Sequence, residues 1–430
     1  MSSGLRELLG TLRAFAIPMR TRFRGITVRE GALIQGPAGW GEFSPFAEYG
    51  PAESARWLAS AIESATVSWP APRRDCVPVN VTVPAVGPER AYQIVASSGC
   101  RTAKVKVAER GQAPGEDIER VAAVRDALDA AGPGGRIRVD ANGGWSVDEA
   151  VSMLRAIGKY SLEYAEQPCA TLGELASLRR LIDIPVAADE SVRRAEDPLR
   201  VRAAGAADIV MVKVQPLGGV RAALRVAEAC GLPAVVSSAV DTSVGLAAGV
   251  ALAAALPELP YACGLATMSL LAGDVTAEPL AEAGGMLPVR RPEVDPGALA
   301  RWETDPEPWR RRALAARQGW RRARAAARDR CRALGAVIRE GRGGGAARGA
   351  DGGHLGTPGC AQMSTMTARS MLLAVITMAG RCRGRTGVPA RGGPPPRGRG
   401  RATVPGRSPS TRGRPGRRRG GGPGACRPTR

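Results

Sequence analysis

Asp140, Glu166, Asp189, Lys213 and Ser237 follow one another at intervals of 26, 23, 24 and 24 residues, and Lys106 lies 34 residues before Asp140. Each closes a short apolar run, as in "TAKVK", "RIRVD", "LEYAE", "PVAAD", "IVMVK" and "PAVVS". Three carboxylates on neighbouring elements form a hard-oxygen site. That chemistry suits Mg²⁺, with Mn²⁺ as its nearest substitute, because Mg²⁺ takes a few carboxylates plus water and ligand oxygens. No His or Cys stands at an equivalent rung, which argues against zinc. The flanking lysines suggest proton transfer. The chain carries 61 Lys+Arg, but only Lys104, Lys106, Lys159 and Lys213 are lysines. Arg stays protonated in a protein, whereas a desolvated Lys beside other cations can shed its proton. The single histidine, His354, lies in a Gly/Arg-rich stretch away from the ladder.

A divalent ion and neighbouring cations disfavour further positive charge, so the lysine pKa values are expected to fall. A lysine so tuned takes a proton from carbon beside a carboxylate, and the metal stabilises the enediolate that results. Lys106 and Lys213 stand on either side of the three acids in ladder order, as two groups facing each other across a substrate would. Taken alone, "TAKVKV" also fits an edge strand with a solvated lysine face, since alternate residues of a strand point the same way.

The ladder requires elements that bring its rungs together. Each apolar run is followed by a helix-like segment, such as "DIERVAAVRDALDAAG" after "TAKVKV" and "SVDEAVSMLRAIG" after "RIRVDANGGW". Alternating strand and helix, with mostly apolar strands, predicts a parallel sheet covered on both faces. The spacing matches an eight-fold barrel, whose βα unit takes roughly 30 residues and whose active site gathers at the C-terminal strand ends. An open doubly wound sheet is the competing fold. It lacks its phosphate loop here, because "GPGG" at 132–135 precedes a strand instead of following one.

These patterns predict an α/β chain in four parts. Residues 1–76 form an α+β capping domain, with antiparallel strands in "RAFAIPM", "ITVREGALIQG" and "GWGEFSPF" and a helix begun by Pro51 and Glu53. Residues 77–270 form a (β/α)7β TIM-like barrel. Residues 271–309 return to the capping domain. Residues 310–430 form an Arg/Gly/Pro-rich tail, expected to be disordered. The charge divides at the same place. Residues 310–430 hold 29 arginines and three acidic residues, whereas residues 1–309 hold 32 Lys+Arg and 37 Asp+Glu. The basic character therefore belongs to the tail. Three readings of the tail compete: a nucleic-acid-binding arm, a solvated extension without a role, or translation in a wrong reading frame. Aromatic residues for base stacking are absent after Trp320.

Nine cysteines without C-x-x-C spacing suggest buried free thiols. No signal peptide opens the chain, and "MLLAVITMAG" is far short of the ~20 residues that span a bilayer. A cytoplasmic enzyme with a small-molecule partner and no membrane is the default expectation.

The ordered motifs "KVK", "RVDANGGW", "YAEQP", "ADES" and "VKVQPLGG" resemble the enolase superfamily in its muconate-lactonising branch, over roughly residues 11–300. Within the branch, "MRTRFRGITVREGALIQGPAGWGEFSPFAEY" and "VVSSAVDTSVGLAAG" resemble the o-succinylbenzoate synthase family. The resemblance implies Mg²⁺ at Asp140, Glu166 and Asp189, with Lys106 and Lys213 as acid/base groups. It implies syn dehydration of 2-succinyl-6-hydroxy-2,4-cyclohexadiene-1-carboxylate in menaquinone biosynthesis, with Lys106 moving the proton, Lys213 staying cationic and Lys104 tuning Lys106. Arg138, Asn142, Ser237 and Ser238 adjoin the matched motifs as substrate-binding or tuning residues. Two features depart from the family: the basic tail, and "KVQP" where Pro would directly follow the lysine. A racemase or epimerase of N-succinylamino acids or dipeptides, using the two lysines as bases on opposite faces, is the alternative. A basic-tail nucleic-acid binder on an inactive barrel is the non-enzyme reading, and the intact ladder argues against it.

Overall fold

The computed structural model describes residues 3–23, 25–193 and 199–319. The chain opens with α1 (Ser3–Gly10) and an antiparallel meander of β1 (Arg13–Phe23), β2 (Ile26–Gly36) and β3 (Gly39–Phe43). Helix α2 (Pro51–Thr66) packs on β2 and β3. Pro51 starts it at a position where a missing N–H costs nothing, and Glu53 sits in its first turn. The packing is close enough to require glycine, since a Cβ at Gly41 would lie 2.0 Å from the Ala61 carbonyl oxygen.

Eight parallel strands follow: β4 (Cys76–Val83), β5 (Thr102–Lys106), β6 (Arg136–Asp140), β7 (Leu162–Glu166), β8 (Val186–Ala188), β9 (Ile209–Val212), β10 (Ala234–Val236) and β11 (Cys263–Ala266). The crossovers are helical: α3 (Pro88–Ser98), α4 (Pro114–Ala130), α5 (Val147–Gly158), α6 (Leu172–Leu178), the pair α7 (Glu190–Arg193) and α8 (Arg200–Ala203), the pair α9 (Val214–Leu217) and α10 (Val220–Cys230), and α11 (Ser243–Ala255). Capping boxes start two of them, Ser146 with Glu149 on α5 and Thr171 with Glu174 on α6. The strands pair in order from β4 to β10, and β11 returns to pair with β4. Between β10 and β11 the ring closes through one bridge, Ser237 to Gly264. This is the (β/α)7β barrel, with two strands, β4 and β11, that the ladder of polar strand ends does not mark.

Alternation divides the strands between two environments. Ala103, Val105, Ile137, Val139, Val210, Val212 and Val236 belong to the main apolar core under the helices. Their neighbours point inward. Tyr164, Ala187, Ile209, Met211 and Val235 fill the barrel interior, and the ladder residues stand above them. Lys104 and Lys106 are therefore interior residues at 6% and 7% exposure, not the solvated face of an edge strand.

The chain then returns. β12 (Met286–Pro288) pairs antiparallel with β4, α12 (Pro296–Ala300) follows, and β13 (Glu303–Thr304) adds to the edge of β1. Residues 307–319 are helical. Arg312 donates to the carbonyls of Pro45, Phe46 and Tyr49, and Ala313 and Ala316 are buried with Trp57 and Phe43. The expected start of the tail at residue 310 thus falls inside a packed helix, because its small residues and arginine stems find an apolar wall. The rest of the Arg-rich tail, with the readings attached to it, lies outside the described residues. Among the described residues no helix is long and apolar enough to cross a membrane.

Candidate active site

The register explains how strands of unequal position present one ring of side chains. Lys106 pairs with Asp140, and Asp140 with Glu166. Glu166 pairs with Ala187, two residues before Asp189. Ala188 pairs with Val210, which sets Asp189 opposite Met211, two residues before Lys213. Val212 pairs with Val236, so Lys213 is level with Ser237. The ladder climbs four residues over five strand steps. A tilted eight-stranded barrel of shear 8 imposes a climb of about one residue per strand. Equal height is therefore reached through the tilt and not through equal register.

One pocket gathers Lys104, Lys106, Asp140, Asp189 and Lys213, with Ser237 and Ser238 on its wall. Lys106 Nζ donates to Asp140 Oδ2 at 2.6 Å and to Asn142 Oδ1 at 2.6 Å. Lys104 Nζ donates to Asp140 Oδ2 at 3.1 Å and to both oxygens of Glu166 at 3.1 and 3.2 Å. Lys213 Nζ donates to Asp189 Oδ2 at 2.5 Å. All three acids are at most 1% exposed. The Phe23 ring, from β1 of the capping unit, covers Lys106 with its centroid 5.1 Å from Nζ.

The charges perturb one another. Burial pushes Asp140 upward, but Lys106 and Lys104 outweigh it and hold the carboxyl well below the usual range. Burial and Asp140 push Glu166 up to about 7, against the pull of Lys104. Burial alone would lower Lys104, yet Glu166 and Asp140 dominate and hold its ammonium above its ordinary value. For Lys104 this corrects the expected fall. The expectation assumed the charge of a bound ion, whereas here the carboxylates face the lysine directly.

The donor set suits a hard divalent cation. It comprises three buried carboxylates on three adjacent strands, all three already held on ammonium groups that stand where positive charge is wanted. As placed, the acids turn to the lysines. Among the described residues no three His, Cys, Asp or Glu side chains converge on one ion position. Asp140, Glu166 and Asp189 are the residues that could hold an ion.

The strand ends carry backbone strain. Five described non-glycine residues have left-handed φ, and four follow ladder residues: Ala108 (59°), Asn142 (48°), Gln167 (38°) and Val240 (60°). Such conformations cost roughly 1–3 kcal/mol each and persist where surroundings over-determine them. Gln167 is one such anchor: its Oε1 accepts from the Asp189 backbone N–H at 2.9 Å. Arg120 and Asp117 of α4 are another. Arg120 Nη1 donates to the Lys106 carbonyl at 2.9 Å, and Asp117 Oδ2 accepts from the Ala108 N–H at 2.8 Å. Arg120 and Asp117 carry no sequence signal, since an i, i+3 charge pair on a helix reads as a surface pair. Gln167 was visible within "YAEQP".

The remaining sequence candidates divide. Asn142 joins the pocket and also donates to Glu190 at 3.1 Å. Ser238 Oγ meets Thr267 Oγ1 at 2.8 Å, and Ser237 lies against Gly264 at the barrel seam. Arg138 sits a layer lower, bound to Glu163, Asn80 and the Ala262 carbonyl, and stacked on Tyr164. It supports the barrel interior and does not line the pocket.

Residues 14–65 match the family described as Enolase N-terminal domain-like, and residues 88–303 match Enolase C-terminal domain-like. The chain is 69% identical over 310 residues to the o-succinylbenzoate synthase of Thermobifida fusca, covering 72% of this chain and 97% of that protein. It is 56% identical over 297 residues to the o-succinylbenzoate synthase of Mycobacterium tuberculosis, covering 69% and 89%. A dipeptide epimerase from Enterococcus faecalis, solved with Mg and the dipeptide L-Leu-L-Tyr, superimposes with a TM-score of 0.56 over 67% of this chain and 97% of its own, at 21% identity. That likeness concerns the fold alone. With two enolase-type units in sequence and 69% identity across nearly the whole of one relative, the chain belongs to the o-succinylbenzoate synthase family of lyases in the enolase superfamily.

Proposed function

We propose that this chain removes water from 2-succinyl-6-hydroxy-2,4-cyclohexadiene-1-carboxylate to give 2-succinylbenzoate, a step of menaquinone biosynthesis in the cytoplasm. The observation that carries the reading is the placement of Lys106 and Lys213 in one pocket, each held by a different buried carboxylate.

A divalent cation, Mg²⁺ or Mn²⁺ in its place, held by Asp140, Glu166 and Asp189 would supply Lewis-acid stabilisation of charge developing on the substrate carboxylate. The chain's own residues do the rest. Lys106 takes the proton from the carbon beside the carboxylate. The electron pair left behind forms the ring double bond as the carbon–oxygen bond to the hydroxyl breaks. Lys106 returns its proton to that hydroxyl, which leaves as water. One lysine serves both events because both occur on one face. Asn142 Oδ1, 2.6 Å from Lys106 Nζ, steers that amine. Lys104 keeps a fixed cation beside it. Lys213 stays cationic and stabilises the negative charge from its side of the pocket. Ser237 and Ser238 offer hydroxyls to the substrate.

The test is turnover of the cyclohexadiene acid by the purified chain with Mg²⁺, beside α-proton exchange of N-succinylamino acids in deuterated water. Dehydration is the expected result. Exchange without dehydration would transfer the assignment to a two-base racemase or epimerase.

A further inference from the structure

A buried polar staple crosses from the capping unit to the barrel at a place the proposed chemistry does not use. Glu42 of β3 is 3% exposed. Its Oε2 accepts from the backbone N–H groups of Thr242 and Gly245, both at 3.1 Å, and from Thr242 Oγ1 at 2.5 Å. Its Oε1 accepts from Ser44 Oγ at 2.6 Å. Thr242 is already the N-cap of α11, its hydroxyl accepting from Val244 N. The carboxylate of another domain thus reinforces a helix start that has its own cap. The fit is tight at Gly245, where a Cβ would lie 2.7 Å from Asp241 Cβ and 2.8 Å from Glu42 Oε2, so that one of them must shift.

A second tie acts on the same loop. Arg29 of β2, 2% exposed, donates through Nε to the Val240 carbonyl at 2.9 Å and through Nη2 to the Ser44 carbonyl at 2.6 Å. Val240 is β-branched with φ at 60°, an outlier that needs an external hold. Ser237, Ser238 and Val240 all line the pocket. The wall formed by the β10–α11 loop is therefore gripped from the capping unit at its strained residue and at the helix that follows.

We propose that Glu42 is a positioning residue for substrate binding: by tying β3 to the first turn of α11, it holds the Ser237–Val240 wall in its binding conformation. The inference rests on the reading of the pocket given above. Lys106 ends β5 outside this loop, and Lys213, directly after β9, is held by Asp189 at 2.5 Å. Gln215, two residues further on, is tied to the loop chiefly by Asp241 Oδ1 at 2.7 Å, a bond that does not pass through Glu42. Loss of the staple therefore weakens binding more than it slows chemistry.

The experiment measures kcat and KM for the cyclohexadiene acid, with the melting temperature, for the full chain with Mg²⁺ and for Glu42→Ala, Glu42→Gln, Gly245→Ala and the Glu42→Ala/Gly245→Ala double variant. Glu42→Ala and Gly245→Ala attack the staple from opposite sides. Each should raise KM about tenfold, about the net weight of one hydrogen bond, and leave kcat within about threefold. Glu42→Gln keeps an oxygen for α11 and an amide for Ser44 and should restore KM to within about threefold of wild type. The double variant should fall short of the product of the single effects, because both remove one contact. Unchanged KM with only a lowered melting temperature would reduce Glu42 to a structural role and overturn the inference. If Glu42→Ala does not fold, Gly245→Ala alone decides, by the same criterion. A wild-type chain without turnover overturns the reading of the reaction, and this inference with it. A wild-type chain with turnover and variants of unchanged KM overturns the inference alone.

Discussion

Lys104 and Lys106 share one oxygen: the ammonium of each donates to Asp140 Oδ2, at 3.1 and 2.6 Å. Lys104 also holds Glu166, and that second carboxylate keeps it charged. Lys106 also donates to a neutral amide, Asn142. The two lysines are two residues apart on one strand, yet one faces two carboxylates and the other a carboxylate and an amide, a difference that fits the separate roles proposed for them.

Arginine substitution separates the two proposed lysine roles. Lys106→Arg keeps the charge but cannot release a proton, and turnover should fall by about 10²–10⁴, the contribution of a general acid–base group. Lys213→Arg keeps the cation and should retain at least about tenfold more activity than Lys106→Arg. Steady-state turnover of the cyclohexadiene acid checks both. Equal damage to both variants would favour two-base chemistry.

Metal dependence follows from the three acids. Exhaustive chelation should abolish turnover, and Mg²⁺ should restore it. Asp189→Asn should weaken Mg²⁺ binding in calorimetry by roughly tenfold or more, as loss of one charged ligand implies. Its circular dichroism without metal should show the fold kept, with a lowered melting temperature because buried Lys213 loses its charged partner. Activity that survives chelation contradicts the assignment.

The Glu42 carboxyl sets a pH dependence of stability. Burial and Asp241 push it up to about 7, against Arg29. The folded chain then holds a proton at pH values where the unfolded chain, with a carboxyl near ~4.3, has released it. Stability from this group is fully present below the unfolded value and is lost as pH rises through about 7. The size is on the order of 3 kcal/mol. Thermal melts between pH 5 and 8 should show the decline, and Glu42→Gln should reduce it, leaving the share that Glu166 contributes.

The Arg120–Asp117 pair gives a stability prediction. Arg120→Ala strands Asp117, which is 3% exposed, and removes the hold on the Lys106 carbonyl. Breaking a buried pair from one side costs about 3–5 kcal/mol. Urea unfolding should show that loss. The Arg120→Ala/Asp117→Ala double variant should cost less than the two single changes together.

The ladder and its barrel were legible because polar residues at strand ends interrupt apolar runs at the period of a βα unit. Lys104 and Lys106 show the limit of a local reading. "TAKVKV" alone suits an edge strand, and only the neighbouring rungs turn it inward. Arg138 shares the inward face, but adjacency in sequence does not encode depth, and it lies a layer below the pocket. Strands β4 and β11 end without a charged rung and so leave no mark. Residues 310–319 carry the composition of the tail, yet the helix they complete finds a wall on the capping unit that composition cannot reveal. Glu42, Arg29 and Arg120 were invisible because the groups they tie to the site lie 14 to 211 residues away and are backbone atoms, and such contacts leave no pattern in a sequence.

The single bridge between Ser237 and Gly264 has a further meaning. Neighbouring staves elsewhere are sewn together more fully: β5 and β6 share five registered pairs. Opening free energy scales with what must be broken, so the ring has a seam where local opening is easiest. That seam runs beside the pocket, through the loop that Arg29 and Glu42 hold. Amide exchange should be fastest there in the empty protein and slow when a ligand spans both edges. The barrel is in this sense a hoop with one clasp, placed at the wall of the pocket.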